Sequence, residues 1–286
     1  MRQLAVLEPG PLATVQDLGR PGLAGLGVTR SGAADPDALR LGNRLVGNDE
    51  GLAGVEATHG GLVVQALADL LVALTGAPCP ATVDGREIGF NAPVALATGA
   101  VLRLGSPGTG MRSYLAVRGG VDVPLVLGSR STDVLSGLGH APLRAGARLP
   151  VGPPPSRHPH VDHAPAPALT DGEVELRVLP GPRVDWFAPD TLDRLTASAY
   201  EVTPDSNRSG MRLRGTILER ARTDELPSEG MVPGALQVPP TGQPTLFLVD
   251  HPVTGGYPVV AVVVSADLGR AGQLRPGQAV RFTAAR

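Results

Sequence analysis

A mostly β fold is predicted for this chain of 286 residues. Three observations predict it. Glycine (38) and proline (29) are abundant, while aromatic residues make up 3%. Short Val- and Leu-rich runs bounded by Gly, Pro, Asp and Asn recur along the chain. Helix-period stretches are few. With 42% hydrophobic residues the chain can bury a core, and its length suits one large domain or two of ordinary size.

Strands are expected at 2–7, 62–66, 70–75, 92–97, 101–104, 113–118, 174–179, 199–203, 211–214, 234–238, 244–249, 257–264 and 279–283. Two helices stand out. In SGAADPDALRLGNRLVGN, Asp35 is the expected N-cap, Pro36 takes the first helical position, and Gly47 is the stop. A second helix is expected at about 186–197, with Leu192 and Leu195 on one face and Pro189 in its first turn. Residues 151–169, VGPPPSRHPHVDHAPAPAL, read as an extended Pro-rich linker. The expected division is therefore 1–150, linker 151–169, and 170–286.

The two sides follow one order. DPDALRLGNRL, EATHGGLVV and RSYLAVRGGVDVPLVL precede the break; APDTLDRLTAS, SNRSGMRLR and TLFLVDHPVTGGYPVVAVV follow it. This suggests an internal duplication at a spacing far beyond solenoid repeats. DHPVTGGYP (250–258) then occupies the place of VRGGVDVP (117–124), as an elaborated inter-strand connection of the kind that carries binding chemistry.

Net charge is −2, which offers no footprint for nucleic acid or an anionic membrane. Every basic side chain other than His is Arg, and there is no Lys. That excludes a Walker-type phosphate loop, a Schiff-base lysine and a biotin-carrying lysine within this chain. The single Cys79, set between prolines, suits a reducing compartment and reads as structural. No signal peptide or membrane span is expected, and a cytoplasmic location follows as the expectation.

Several loops carry candidate chemistry. TVQDLGRPG (14–22) combines Gln16, Asp17 and Arg20, and Arg20 offers a fork for a carboxylate; an ordinary solvated turn is the other reading. SGAAD (31–35) ends at a helix start, where exposed N–H groups favour anions, or it simply caps the helix. GSRSTD (128–133) and SNRSG (206–210) each set an Arg between hydroxyl residues. ELPSEG (225–230) brings Glu229, a candidate general base, followed by Gln237. HPHVDH (158–163) has metal-ligand residue types, but its Pro-rich setting argues against fixed geometry, and no metal site is expected.

Six of these stretches, in order, resemble the biotin-dependent carboxyltransferase / allophanate-hydrolase subunit 2 family. They are TVQDLGRPG, GVTRSGAADPDALRLGNRLVGN, RSYLAVRGGVDVPLVLGSRSTD, SNRSGMRLRG, ELPSEGMVPGALQVPPTGQP and DHPVTGGYP. Within that family the chain is similar to the KipA-type group, the C-subunits of 5-oxoprolinases. The resemblance implies two cyclophilin-like β-barrel domains with few short helices. It also implies a complex with a KipI-type B-subunit and an A-subunit, which opens 5-oxoproline to L-glutamate with ATP used at the level of the complex. A carboxyltransferase-like component of a biotin-dependent urea or amide carboxylase, and a non-enzymatic regulator binding a KipI-type kinase inhibitor, are the alternatives. The site residues it implies are Glu229, Asp250 and Asp17 as catalytic. Gln16, Arg20, Ser31, Ser206, Asn207, Arg208, Gln237, Thr254, Gly255, Gly256 and Tyr257 are implied as substrate-binding. Where the family often has Gln-Thr after the Asp of the last motif, this chain has His251-Pro252-Val253.

Overall fold

The computed structural model of the chain describes residues 2–156, 158–159, 161–165 and 168–285. It divides into two compact units, Met1–Arg20 with Ser31–Leu169, and Pro21–Arg30 with Thr170–Arg286. The Pro-rich residues 151–169 thus fall with the first unit, and residues 21–30 with the second.

The first unit contains β1 (Gln3–Pro9), β2 (Leu12–Gln16), α1 (Pro36–Leu45), β3 (Gly54–Thr58), β4 (Leu62–Ala66), β5 (Leu70–Gly76), β6 (Ala81–Val83), β7 (Arg86–Glu87), β8 (Pro93–Leu96), β9 (Val101–Leu104), β10 (Arg112–Val117) and β11 (Arg148–Pro150). They form two sheets, in the orders β11-β1-β4-β9-β6-β7 and β2-β3-β10-β5-β8. One core joins them, with Leu4, Val64 and Leu102 from one sheet against Val15, Val55, Leu74 and Leu115 from the other.

Strand β10 is buried at every position, where a sheet with one wet face would alternate. The cause is α1, whose apolar stripe covers the outer face of β5 and β10 with Leu39, Leu45 and Val46. The approach is close. A side chain at Gly42 would place its Cβ 3.0 Å from the Ala116 methyl, and Thr75 Oγ1 donates to Ala38 O at 2.7 Å. The helix begins as its sequence dictates, with Asp35 accepting from Ala38 N at 3.1 Å and Pro36 at N1. Past its end, Asn48 donates to Asn43 Oδ1 and to Val117 O, tying the LGNRLVGN turn to β10.

The second unit contains β12 (Val174–Pro180), α2 (Thr191–Ala197), β13 (Ala199–Val202), β14 (Gly210–Arg214), β15 (Glu229–Gly230), β16 (Ala235–Gln237), β17 (Thr245–Phe247), β18 (Thr254–Gly255), β19 (Val259–Val263), α3 (Leu268–Ala271) and β20 (Ala279–Ala284). Seven strands close a barrel in the order β12-β19-β16-β17-β14-β13-β20, and β15 pairs with β18 outside it. The pair β12–β20 is parallel, with Leu176 opposite Phe282. Barrel strands β12 and β14 alternate buried and exposed positions, as half-buried strands do.

The expected mostly β class holds, with three short α-helices among the described residues. The second helix starts at Thr191, not near 186. Residues Val184–Trp186 form a 3-10 turn, and Pro189 lies before the helix, where Asp190 is the N-cap residue. The short helix α3 was not expected. Neither were β2 and β3, whose polar Thr14, Gln16 and Glu56 interrupt the apolar pattern although all three are buried. No helix among the described residues is long and apolar enough to cross a membrane.

One carboxylate anchors the barrel next to α3. Asp267 is almost fully buried; it accepts from Arg177 N at 2.8 Å, Nε at 3.0 Å and Nη2 at 2.8 Å, and pairs with Arg270 at 2.6 Å. Burial pushes its pKa up, but the Arg177 side chain and backbone bonds and Arg270 outweigh that and hold it well below the usual carboxylate range. A depressed folded pKa stabilises above the unfolded-chain value near 4 and loses that contribution as pH falls toward the folded value. Asp267→Asn is therefore expected to cost about 2 kcal/mol in urea unfolding at pH 7. The gap to wild type should close progressively below about pH 4; a gap independent of pH would refute the assignment.

Candidate functional site

In the first unit, the end of β2 runs into a loop wired to residues 129–133. Asp17 is the hub. Its Oδ1 accepts from Gly19 N at 2.7 Å, Ser129 Oγ at 2.6 Å and Ser131 Oγ at 2.5 Å, and its Oδ2 from Arg130 N at 2.6 Å. Four donors on one buried carboxylate make it an anchor that shapes the loop. Gln16 Nε2 donates to Thr14 Oγ1 at 3.0 Å and Thr132 O at 2.9 Å, and Ser31 Oγ donates to the same Thr132 O at 3.2 Å. The stretch GSRSTD, separated from TVQDLGRPG by more than 100 residues, is thus its partner.

Arg20 is 2% exposed. Its Nη2 donates to Ser131 O at 2.5 Å and its Nε to Val126 O at 3.3 Å, both neutral acceptors. Arg20 Nη1 and Gln16 Oε1 are buried with no hydrogen-bond partner in the protein. A buried guanidinium held by carbonyls, together with an amide oxygen that lacks a donor, is suited to bind a small anion that also presents an N–H or O–H.

The loop 31–35 is shaped from below. Ser31 adopts φ 51° and Gly32 φ 102°. A Cβ at Gly32 would lie 2.9 Å from Gly19 N, so this close crossing requires glycine. Its amides are already engaged: Ala33 N donates to Asp17 O at 2.9 Å, Ala34 N to Glu56 Oε2 at 2.9 Å and Asp35 N to Tyr114 Oη at 2.8 Å. The stretch just before α1 therefore forms a structural junction, and Asp35 caps the helix. Glu56 also accepts from Tyr114 Oη at 2.8 Å and pairs with buried Arg112 at 3.5 Å. Burial, then the charges of Glu56 and Asp35, push the Tyr114 hydroxyl well above its ordinary pKa, so it stays a neutral donor.

In the second unit, Arg208 and Asp250 form a buried bidentate pair, Nε–Oδ2 2.8 Å and Nη2–Oδ1 3.2 Å, with side chains 1% and 0% exposed. Ser206 and Asn207 hold the turn before β14. Arg212 N donates to Ser206 Oγ at 3.0 Å, and Ser209 N and Gly210 N donate to Asn207 Oδ1 at 2.8 and 3.2 Å. His251 is buried; its ring stacks on Phe247 with centroids 6.0 Å apart, and its Nδ1 donates to Pro252 O at 2.7 Å.

A second group gathers around β15 and β18. Glu229 lies opposite Gly255, so the ELPSEG and DHPVTGGYP stretches pair directly. Both Glu229 oxygens accept from Arg183, whose hydrogen bond holds the carboxyl below the usual range. Glu229 keeps 24% of its side chain open, and Tyr257 is 45% exposed. Gln237 Nε2 donates to Tyr257 O at 3.0 Å, fixing the Gly255–Gly256–Tyr257 turn. Thr254 and Gly256 stand at the surface beside it.

The fold thus brings Gln16, Asp17, Arg20 and Ser31 together in one unit, and Glu229, Gln237 and Thr254 to Tyr257 in the other. Arg208 and Asp250 form a pair of their own, while Ser206 and Asn207 serve their turn. The sequence reading missed Ser129 and Ser131 as partners of Asp17, Glu56–Arg112–Tyr114, and Arg183. Hydroxyls flanking Arg130 in GSRSTD were the available signal for the first; nothing local marked Arg183. Of HPHVDH, His160 lies outside the described residues, and no group of three metal-ligand side chains occurs among the described ones.

Breaking the buried pair should be costly. Arg208→Ala or Asp250→Ala is expected to lose about 3–5 kcal/mol in urea unfolding, because each leaves an uncompensated buried charge. The double change Arg208→Met with Asp250→Leu should recover much of it. Single variants within about 0.5 kcal/mol of wild type would show that the pair contributes little to stability.

Known proteins place the chain among relatives. Its residues 26–284 match the family described as carboxyltransferase domain, subdomain A and B. It is 40% identical to the C-subunit of 5-oxoprolinase from Escherichia coli, over 98% of this chain and 90% of that protein. The crystal structure of TTHA0988 superposes with a TM-score of 0.90 at 37% identity, covering 99% of this chain and 56% of that one. The K. lactis urea amidolyase superposes with a TM-score of 0.94 at 30% identity, and this chain spans 19% of its length. With most of its length matched by that family, and with both units of the mostly β fold covered by these relatives, the chain belongs to the carboxyltransferase domain, subdomain A and B, family.

Proposed function

We propose that this chain is a subunit of an ATP-dependent 5-oxoprolinase that hydrolyses 5-oxoproline to L-glutamate. The observation that carries this reading is the 40% identity to a protein named as a 5-oxoprolinase C-subunit, extending over 98% of this chain and 90% of that one. That name implies a multi-subunit enzyme. We assign a KipI-type B-subunit and an A-subunit as the partners, in the cytoplasm.

The chemistry fits the residues. A lactam carbonyl is a poor electrophile, and ATP, bound at the level of the complex, would supply the phosphoryl group that activates its oxygen. Water then adds at the ring carbonyl carbon, the C–N bond breaks with a proton passing to the ring nitrogen, which leaves as the amine, and a second water cleaves the resulting acyl phosphate to the side-chain carboxylate of glutamate and inorganic phosphate. In the first unit, Arg20 Nη1 and Gln16 Oε1, buried without a hydrogen-bond partner among the described residues, have the chemistry to match a carboxylate and an N–H. Among Asp17, Asp250 and Glu229, only Glu229 is both accessible and free of complete enclosure. Within the second unit it is the carboxylate we assign as general base, with Arg183 holding it in place. Asp17 and Asp250 then act as positioning residues for Arg20's loop and for Arg208.

A second reading, a carboxyltransferase acting on biotin carried by another chain, is favoured by the likeness to the K. lactis urea amidolyase. That relative is less similar, at 30% identity, and this chain has no Lys to carry biotin.

Glutamate release from 5-oxoproline with ATP should be measured with this chain alone, with its KipI-type partner, and with both partners together. Turnover in the full mixture only is expected, and Glu229→Gln should lower kcat there by about a hundredfold or more with assembly intact. No turnover in any mixture would overturn the reading.

A further inference from the structure

The first unit holds a cavity of about 670 Å³, none of whose lining residues belongs to the candidate site. That size is typical of small-molecule sites, which run from about 300 to 1,000 Å³. Its walls are largely apolar, from Leu71, Ala95, Ala97 and Pro155, and two arginines line it, Arg2 and Arg118. An apolar pocket with a few placed polar groups is the usual form of a ligand site.

Both guanidiniums are fixed without being neutralised by those bonds. Arg118 is buried; its Nη1 donates to Val46 O at 2.8 Å and its Nη2 to Pro155 O at 2.5 Å. Arg2, half-buried, donates from Nη1 to Gly152 O at 2.5 Å and from Nη2 to Arg118 O at 2.8 Å. Carbonyl acceptors orient a guanidinium but cancel no charge. Among the described residues Arg2 has no carboxylate partner, and its guanidinium commits two of its five N–H groups. Burial first, and the positive charge of Arg118 second, lower its pKa. Asp69 also lines the cavity, but it is exposed and its Oδ1 accepts from Thr98 N and Oγ1, both at 2.8 Å. One solvated carboxylate against two oriented guanidiniums leaves the site positive.

We propose that this cavity binds a small organic carboxylate, its charged end on Arg2 and its apolar body against Leu71, Ala97 and Pro155. The fixed fork of Arg2 matches a carboxylate, and the pocket is already formed. This site shares no residue with the one assigned to 5-oxoproline, so the two readings fail separately.

Binding of 4-fluorobenzoate to the purified full chain, followed by fluorine NMR, tests it. The neutral isostere 4-fluorobenzamide is the control. Saturable binding of the benzoate is expected, with the amide about tenfold weaker or worse. Arg2→Gln should weaken the benzoate at least about fivefold. Because Arg2 also tethers Gly152 and Arg118, a second variant is needed: Ala97→Phe fills the cavity from an exposed position and removes no hydrogen bond. It should abolish binding while its thermal melt matches wild type. Absence of saturable binding, equal affinity for the amide, or affinity retained in both variants would overturn the proposal.

Discussion

A guanidinium taken out of water must find a counter-charge or a full set of acceptors, and the three most deeply buried among the described residues are Arg20, Arg112 and Arg208. Each is compensated differently. Arg208 takes a bidentate carboxylate from Asp250. Arg112 pairs with Glu56, which also carries Tyr114 and the amide of Ala34. Arg20 takes backbone carbonyls and keeps one donor unspent. Much of the local architecture follows from these three solutions.

The Glu56 cluster shows how. It fixes the loop that precedes α1, and α1 in turn covers β5 and β10. A polar cluster inside an otherwise apolar sheet is tolerated because its members satisfy one another. The same cluster takes up the amides of Ala34 and Asp35 just before the helix. Arg20 Nη1, on the adjacent loop held by Asp17, keeps unmatched donor capacity.

Legibility in the sequence tracked the range of the forces involved. Helix α1 was readable because Asp35, Pro36 and the Leu39–Leu45 stripe act within a few residues of each other. Strands with apolar runs or period-two alternation, such as β4, β12 and β14, were readable for the same reason. Strands β2 and β3 were not, because Thr14, Gln16 and Glu56 mimic exposed positions while being buried in partnered networks. The six family-like stretches marked Gln16, Arg20 and Glu229, yet they gave Asp17, Asp250 and Glu229 equal standing as carboxylates.

By itself, then, the chain's sequence determined a mostly β class, a capped helix against a sheet, the absence of any lysine chemistry, and kinship with a family through short ordered motifs. Tertiary structure alone decided which carboxylates are anchors and which one meets solvent. It also decided that Arg183 serves Glu229 and that two guanidiniums line a separate cavity. The physical reason is distance along the chain. Capping and periodicity are settled within a turn or two of backbone. Compensation of a buried charge is settled between residues such as Arg208 and Asp250, 42 positions apart, or Asp17 and Ser131, 114 apart, which meet only once the chain has folded.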